Sequence, residues 1–280
     1  KSKLITTGIA AAGVAATALG VAAVKMAADF DASMSTVQAN TGASADEMNQ
    51  LRQAAIDAGA DTIYSATESA DAINELGKAG LSTSEILGGA LDGALDLAAS
   101  DSMDVGQAAE YMASAMAQFN LTGADATHVA DLLAAGAGEA LGNVSDFGEA
   151  LNNVGATASK FGLSIDDTVG TLAAFAHQGI IGAEAGTQLR SVLLALTSQT
   201  DKQKQATEEA GISLYDAQGN FVGLSNLAGQ LQDKLGGLTQ EQRNSTLATM
   251  FGSYAIQGAN VLYACLLYTS DAADDLPCVD

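Results

Sequence analysis

Apolar side chains recur along this chain at the spacing of an α-helix. Between residues 105 and 119 they fall at i, i+3, i+4, i+7, i+10, i+11 and i+14, which is one continuous stripe on a helix surface. The same spacing begins again at Leu87, Val129, Phe147 and Leu189. The pattern therefore predicts many short amphipathic helices that each turn one face toward a shared core.

Polar residues mark where these helices start. A hydroxyl residue followed three positions later by an acid or amide forms a capping box, in which the two residues satisfy each other's backbone N–H groups. Thr122 and Ser145 are weaker candidates for the same role. The predicted boxes begin at Ser44, Ser65, Ser82, Ser164 and Thr239. Glycines that can end a helix in the left-handed conformation follow four apolar runs, at Gly59, Gly80, Gly162 and Gly211.

Residues 211–222 depart from the helical pattern. They alternate in two short runs around Asp216–Asn220, and Gly219 can take the positive φ of a tight turn. Tyr215 and Phe221 would then pair across two strands. We expect a small β-hairpin near 212–222, followed by helices at about 224–236 and 240–251.

An internal echo supports an architecture of repeated helical hairpins. The segment Ala72–Gly77 with its Gly-Leu-Ser break at Gly80–Ser82 matches Ala150–Gly155 with the break at Gly162–Ser164. The predicted fold is mainly α, an array of short antiparallel helices and helical hairpins with one small β-hairpin. We divide the chain into 1–28, an Ala/Gly-rich hydrophobic helix; 29–210, a helical core domain; 211–264, the β-hairpin plus helices; and 265–280, a non-native tail.

The first segment leaves two alternatives open. Leu4–Val24 is 21 residues without a charge, and about 20 apolar residues can cross a bilayer. The segment is rich in Ala, Gly and Thr rather than large apolar residues, which favours a helix that packs against another helix or chain. Membrane insertion is the second interpretation. The first residue is Lys1 rather than methionine, so we expect a fragment.

Charge and composition exclude several classes of protein. The 280 residues carry 11 basic and 33 acidic side chains, a net charge of −22. The 81 residues between Lys78 and Lys160 hold eleven acids and no lysine or arginine. Such a surface repels phosphate backbones, so specific nucleic-acid binding is not expected. Both cysteines and the single proline lie after residue 264, which argues against a disulfide framework or zinc module and favours helices.

No constellation of catalytic residues stands out. His128 and His177 lack a second histidine or cysteine at metal-binding spacing, although Asp131 could bond His128 locally. The glycines of Gly136–Gly142 lie within a helical pattern and do not follow a strand, so they are not a dinucleotide fingerprint. Met103, Met112 and Met116 are expected in the core. We assign no catalytic, cofactor-binding or metal-binding residues and expect a protein that is not an enzyme.

Several short segments resemble phage tail tape measure proteins of the TP901 type. Gly182–Arg190 reads GAEAGTQLR and is similar to a characteristic pattern of that family. The resemblance spans about residues 20–263. The other segments that carry it are Phe30–Val37, Thr41–Met48, Ser65–Ala72, Leu76–Leu81, Asp96–Ser100, Phe119–Leu121, Phe147–Leu151, Gly162–Ile165, Leu214–Phe221 and Met250–Gly252.

The resemblance implies a structural role in the phage tail. Family members extend along the lumen of the growing tail tube, set tail length and take part in genome delivery. Expected partners are the tail tube protein, tail assembly chaperones and tail tip proteins, with self-association and the host membrane as further candidates. The expected location is the tail lumen of the virion, with the host cytoplasm during assembly and the host membrane during infection. Some family members carry peptidoglycan hydrolase modules, whose motifs this chain does not match.

Residues 265–280 do not share the resemblance to tape measure proteins. Cys265–Asp275 resembles a translated sequencing adapter, so residues 265–280 would not belong to the natural protein. The remaining 264 residues contain neither cysteine nor proline.

Overall fold

A computed structural model describes residues 23–269, with side chains to residue 264. The described residues are mainly α-helical, as predicted. Two short irregular turns interrupt the helices, a π-helical turn at Ile86–Ala90 and a 3₁₀ turn at Gly123–Asp125. The helices are α1 (23–41), α2 (Ala45–Asp61), α3 (Ala66–Lys78), α4 (Thr83–Glu85), α5 (Leu91–Asp101), α6 (Val105–Phe119), α7 (Ala126–Glu139), α8 (Val144–Lys160), α9 (Ile165–His177), α10 (Gly182–Thr197), α11 (Asp201–Glu209), α12 (Leu224–Leu235) and α13 (Gln240–Thr269).

The predicted capping boxes are confirmed. At the start of α3 the Ser65 N–H donates to the Glu68 carboxylate at 2.7 Å, and the Glu68 N–H donates to the Ser65 hydroxyl at 3.2 Å. Thr122 forms the same box with Asp125. The other confirmed boxes begin at Ser44, Ser82, Ser164 and Thr239.

Two helix starts differ from the sequence prediction. Ser145 is not a cap, because α8 begins earlier and Asn143 accepts the Asp146 N–H at 2.9 Å. Thr200 forms a box with Gln203 that the sequence reasoning missed. At the start of α8, the side-chain oxygen of Asn143 accepts a hydrogen bond as a hydroxyl would, so the helix can begin directly after Asn143.

The glycine stops are correct at three positions of four. Gly80, Gly162 and Gly211 have φ of 92°, 79° and 69°, the left-handed region that glycine tolerates. Gly59 instead lies inside α2, which continues to Asp61. A Cβ at Gly59 would lie 2.5 Å from the backbone nitrogen of Ala66, so glycine permits the close approach of α3.

The helices share one apolar core that extends from Met34 to Leu262. The main packed pairs are α8 with α10, α3 with α6, α6 with α8, α10 with α13 and α2 with α3. Met112 and Met116 are buried in that core, as expected, whereas Met103 is only partly buried and packs against it. The core includes residues on both sides of position 210, where the predicted helical core domain ends. The division of the chain into four segments stays a prediction.

The two echoed hairpins share their backbone geometry. In the first, the Leu81 N–H donates to Leu76 O at 3.2 Å across the break; in the second, the Leu163 N–H donates to Ala158 O at 3.1 Å. Each bond closes the end of a helix across a positive-φ glycine, since its donor is the residue that directly follows that glycine. The following helices differ, since α9 is continuous whereas the chain after Ser82 turns at Gly89, with φ of 135°.

The predicted β-hairpin near 212–222 is wrong: residues 23–269 contain no strand. The segment forms one isolated antiparallel bridge between Tyr215 and Phe221. The second arm ends after Val222, because Gly223, with φ of 88°, turns the chain directly into α12. The Gln230 side chain bonds the backbone of the first arm in place of a strand. Its amide group donates to the Ser213 carbonyl oxygen and accepts from the Ser213 N–H.

The last helix contains a break that the sequence pattern did not predict. The predicted helix at 240–251 matches its first half, after which Gly252 adopts φ of 77° and the chain continues as a second helical arm. The hydrophobic segment Leu4–Val24 lies outside the described residues except for its last two positions. Between residues 23 and 269 no helix combines the length and apolar character needed to cross a membrane.

Candidate interaction surfaces

The segment GAEAGTQLR forms the first half of α10 and packs against α8. Gly186 faces the backbone of Ala150, where a Cβ would lie 2.2 Å from the carbonyl oxygen. Leu189 is fully buried, whereas Arg190 is exposed. The segment therefore sets the spacing of two helices and presents one cation to solvent.

Glycines make the other close helix contacts as well. A Cβ at Gly148 of α8 would lie 2.3 Å from the ring of Tyr111 on α6. A Cβ at Gly136 of α7 would meet Phe147 and Val169 at 3.0 Å each. Gly136 thus serves helix packing, and α8 touches two of its neighbours through positions where no side chain fits.

The histidines lie on the surface and do not form a site together. His128 on α7 lies 2.9 Å from the Asp166 carboxylate on α9, and both side chains are more than half exposed. The partner is Asp166, from the acidic first turn of α9, rather than Asp131, which lies three residues after His128 on α7. His177 is the last residue of α9. No three potential metal ligands come together in the described part of the chain.

Several carboxylates carry a lowered pKa because they cap helices. The Ser44 hydroxyl and N–H hold the pKa of Glu47 below its ordinary value, and the Ser65 N–H and hydroxyl do the same for Glu68. Glu85 has a lowered pKa from the Ser82 hydroxyl and N–H and, in addition, from the Gly123 N–H. These lowered pKa values therefore follow from helix capping, and the three acids stabilise local structure.

One groove lies beside the break in α13. It encloses about 410 Å³, and its walls include Leu194 and Tyr254, which are 46% and 89% exposed. Gln203 of α11 donates to the carbonyl of Met250, just before the break at Gly252, at 3.2 Å. The break is therefore held by a side chain from another helix.

A second groove lies between α2 and the turn that leads into α5, and we call it the α2–α5 groove. It encloses about 290 Å³. Its α2 wall carries Ala54 and Ala58 with Asp57 and Asp61, and its opposite wall includes Leu87. Sequence reasoning missed both grooves, because each depends on helices that are far apart in the chain.

The chain belongs to the phage-related minor tail protein family, whose family model matches residues 52–252. The match begins in α2 and ends at the glycine that breaks α13. It therefore covers α3 to α12 completely and leaves out α1. The finer assignment to the TP901 type stays a prediction, as does the adapter origin of residues 265–280, of which 270–280 lie outside the described residues.

Two curated relatives are tape measure proteins. The chain is 39% identical over 237 residues to the tape measure protein of Pneumococcus phage Dp-1. The aligned region covers 85% of this chain and 20% of that protein. It is 29% identical over 259 residues to the probable tape measure protein of Escherichia phage P2. This second aligned region covers 91% of this chain and 31% of that protein. The chain thus spans about a fifth to a third of the length of these relatives. No solved structure matches it.

Proposed function

We propose that this chain is the folded helical part of a tape measure protein, which sets tail length during tail assembly and assists genome delivery. The observation that carries the proposal is the 39% identity to a tape measure protein across 85% of this chain. The family is one of minor tail proteins, which supports a structural rather than an enzymatic role. In this role the protein occupies the lumen of the virion tail and, during assembly, the host cytoplasm.

The fold suggests how this part of the protein contributes. A helix rises about 1.5 Å per residue, so a 17-residue helix such as α2 is only about 26 Å long. Here the helices fold back on one another, so added residues do not convert into length. We infer that this part anchors or organises the assembly, with the tail tube protein, assembly chaperones and tail tip proteins as its partners, whereas extended helical parts determine length.

The test uses the phage that encodes the chain. Deleting the whole gene should abolish tails of normal length in electron micrographs, and a plasmid copy should restore them. Inserting 40 helical residues at Gly237, an open loop position between α12 and α13, should leave tail length unchanged. The same insertion in an extended helical part should lengthen the tail by about 60 Å. Normal tails after deletion of the gene would refute the proposed function.

A further inference from the structure

The α2–α5 groove has small and apolar side chains on both walls. On α2, Ala54 and Ala58 lie at i and i+4 on one face of the helix, and Thr62, the extended residue that follows the last turn, continues this wall. On the other side, Leu87 and Leu91 contribute larger side chains, and Leu87 remains 37% exposed. The helix α3 packs against both α2 and α5 from beneath, so the groove opens to solvent between them.

Three carboxylates border these apolar walls. Asp57 and Asp61 lie on the α2 side and Asp92 lies on α5. Within residues 23–269 none of the three is paired with a cation; Asp57 accepts a hydrogen bond from the neutral amide of Gln53 at 2.7 Å. A groove whose walls combine small and leucine side chains with unpaired carboxylates matches a helix that carries an apolar stripe flanked by lysine or arginine.

We propose that the α2–α5 groove is a docking site for a basic amphipathic helix of another protein. The small side chains of Ala54 and Ala58 let the helix of the partner protein approach α2 closely, and helices that pack in this way lie about 8–10 Å apart.

The charge of the chain argues against a second copy as the occupant. With a net charge of −22, one copy would bring mostly carboxylates to a groove already edged by carboxylates. Like charges placed opposite each other weaken an interface. Complementarity therefore favours a partner of opposite charge. The test below measures binding to the isolated chain, so its outcome is independent of the tail-length experiment.

The probe is an 18-residue peptide of leucine and lysine at helical spacing, labelled with fluorescein and titrated with the full 280-residue chain. The groove variant carries Asp57→Asn, Asp61→Asn and Asp92→Asn. An exposed ion pair changes affinity roughly two- to threefold, so losing three should weaken binding about tenfold.

Two controls separate the groove from the general acidity of the chain. The matched variant carries Asp71→Asn, Asp131→Asn and Asp233→Asn, which removes the same charge at exposed positions outside the groove walls and should change affinity less than twofold. A peptide with glutamate in place of lysine should not bind. Circular dichroism confirms that each variant retains its helices.

Cross-linking fixes the position of the peptide. A photoreactive group in its apolar stripe should label α2 and α5, and Leu87→Asn should reduce labelling whereas Leu194→Asn, at another exposed leucine, should not. Equal weakening by the two aspartate variants, or labelling elsewhere on the chain, would overturn the proposal. A dimer of the chain that the groove variant dissociates would also overturn it, because the occupant would then be a second copy.

Discussion

The contact between α8 and α10 predicts that the substitution Gly186→Ala is severely destabilising. The added Cβ would lie 2.2 Å from the Ala150 carbonyl oxygen and 2.8 Å and 2.9 Å from two further backbone atoms of the same residue. Because all three neighbours are backbone, no flexible side chain can move aside. The two helices must therefore separate by roughly 1 Å to restore ordinary contact distances.

That separation determines the size of the effect. A radial gap of 0.5–1 Å loses about a quarter to a half of each dispersion contact along the interface. Together with the usual cost of overpacking, we expect a loss of about 2–4 kcal/mol in the free energy of unfolding. For a chain of this size each 1 kcal/mol lowers the melting temperature by about 2–4 °C.

The assay is urea unfolding followed by circular dichroism at 222 nm, a standard helix wavelength. The control is Gly138→Ala in α7, where the added Cβ meets no atom within 4 Å. Alanine favours a helix over glycine, so this variant should keep or raise stability by up to about 1 kcal/mol. If Gly186→Ala unfolds within about 0.5 kcal/mol of the unchanged chain, the close contact of α8 with α10 is wrong.

Three further predictions concern helix ends and the surface. Ser65→Ala should cost about 1 kcal/mol in urea unfolding because α3 loses its cap; an unchanged midpoint would contradict the observed box. The pKa values of Glu47, Glu68 and Glu85 are lowered in the folded chain, so the stability they add is present above their unfolded pKa and is lost as pH falls through the folded pKa. Replacing all three with glutamine should flatten the acid side of the urea midpoint measured against pH; an identical acid slope would refute this origin. His128→Ala should change stability by less than about 1 kcal/mol, since both side chains of its contact with Asp166 are exposed, and a larger loss in thermal melts would show a structural role.

The parts of the fold that depend on near neighbours could be predicted from sequence. The boxes at Ser44 and Ser164 are complete within four residues, so their pattern is visible in the chain itself. Gly59 and Gly186 could not be interpreted in this way, because each is required by a backbone that approaches from a distant segment. An apolar run shows that a helix has a buried face, but it does not show which helix covers it.

The difference between local and distant contacts also explains why the β-hairpin near 212–222 was predicted wrongly and why the α2–α5 groove was missed. The alternating pattern before Val222 is real, but the glycine that follows it starts a helix and leaves no room for a second strand. The α2–α5 groove forms where two helices are held apart by a third. Of its three aspartates only Asp92 belongs to the acidic stretch between Lys78 and Lys160, and the arrangement of Asp92 with Asp57 and Asp61 around one groove depends on tertiary structure.

The capping boxes have a consequence for the speed of folding. Each box joins residues only three positions apart, so it can form without any long search through the chain. Helices form on a timescale of about 0.1–1 μs, far faster than helix interfaces assemble. A chain pulled straight by force would therefore recover its individual helices almost at once on release, and the tight glycine contacts between them would be the slow step in restoring the native structure.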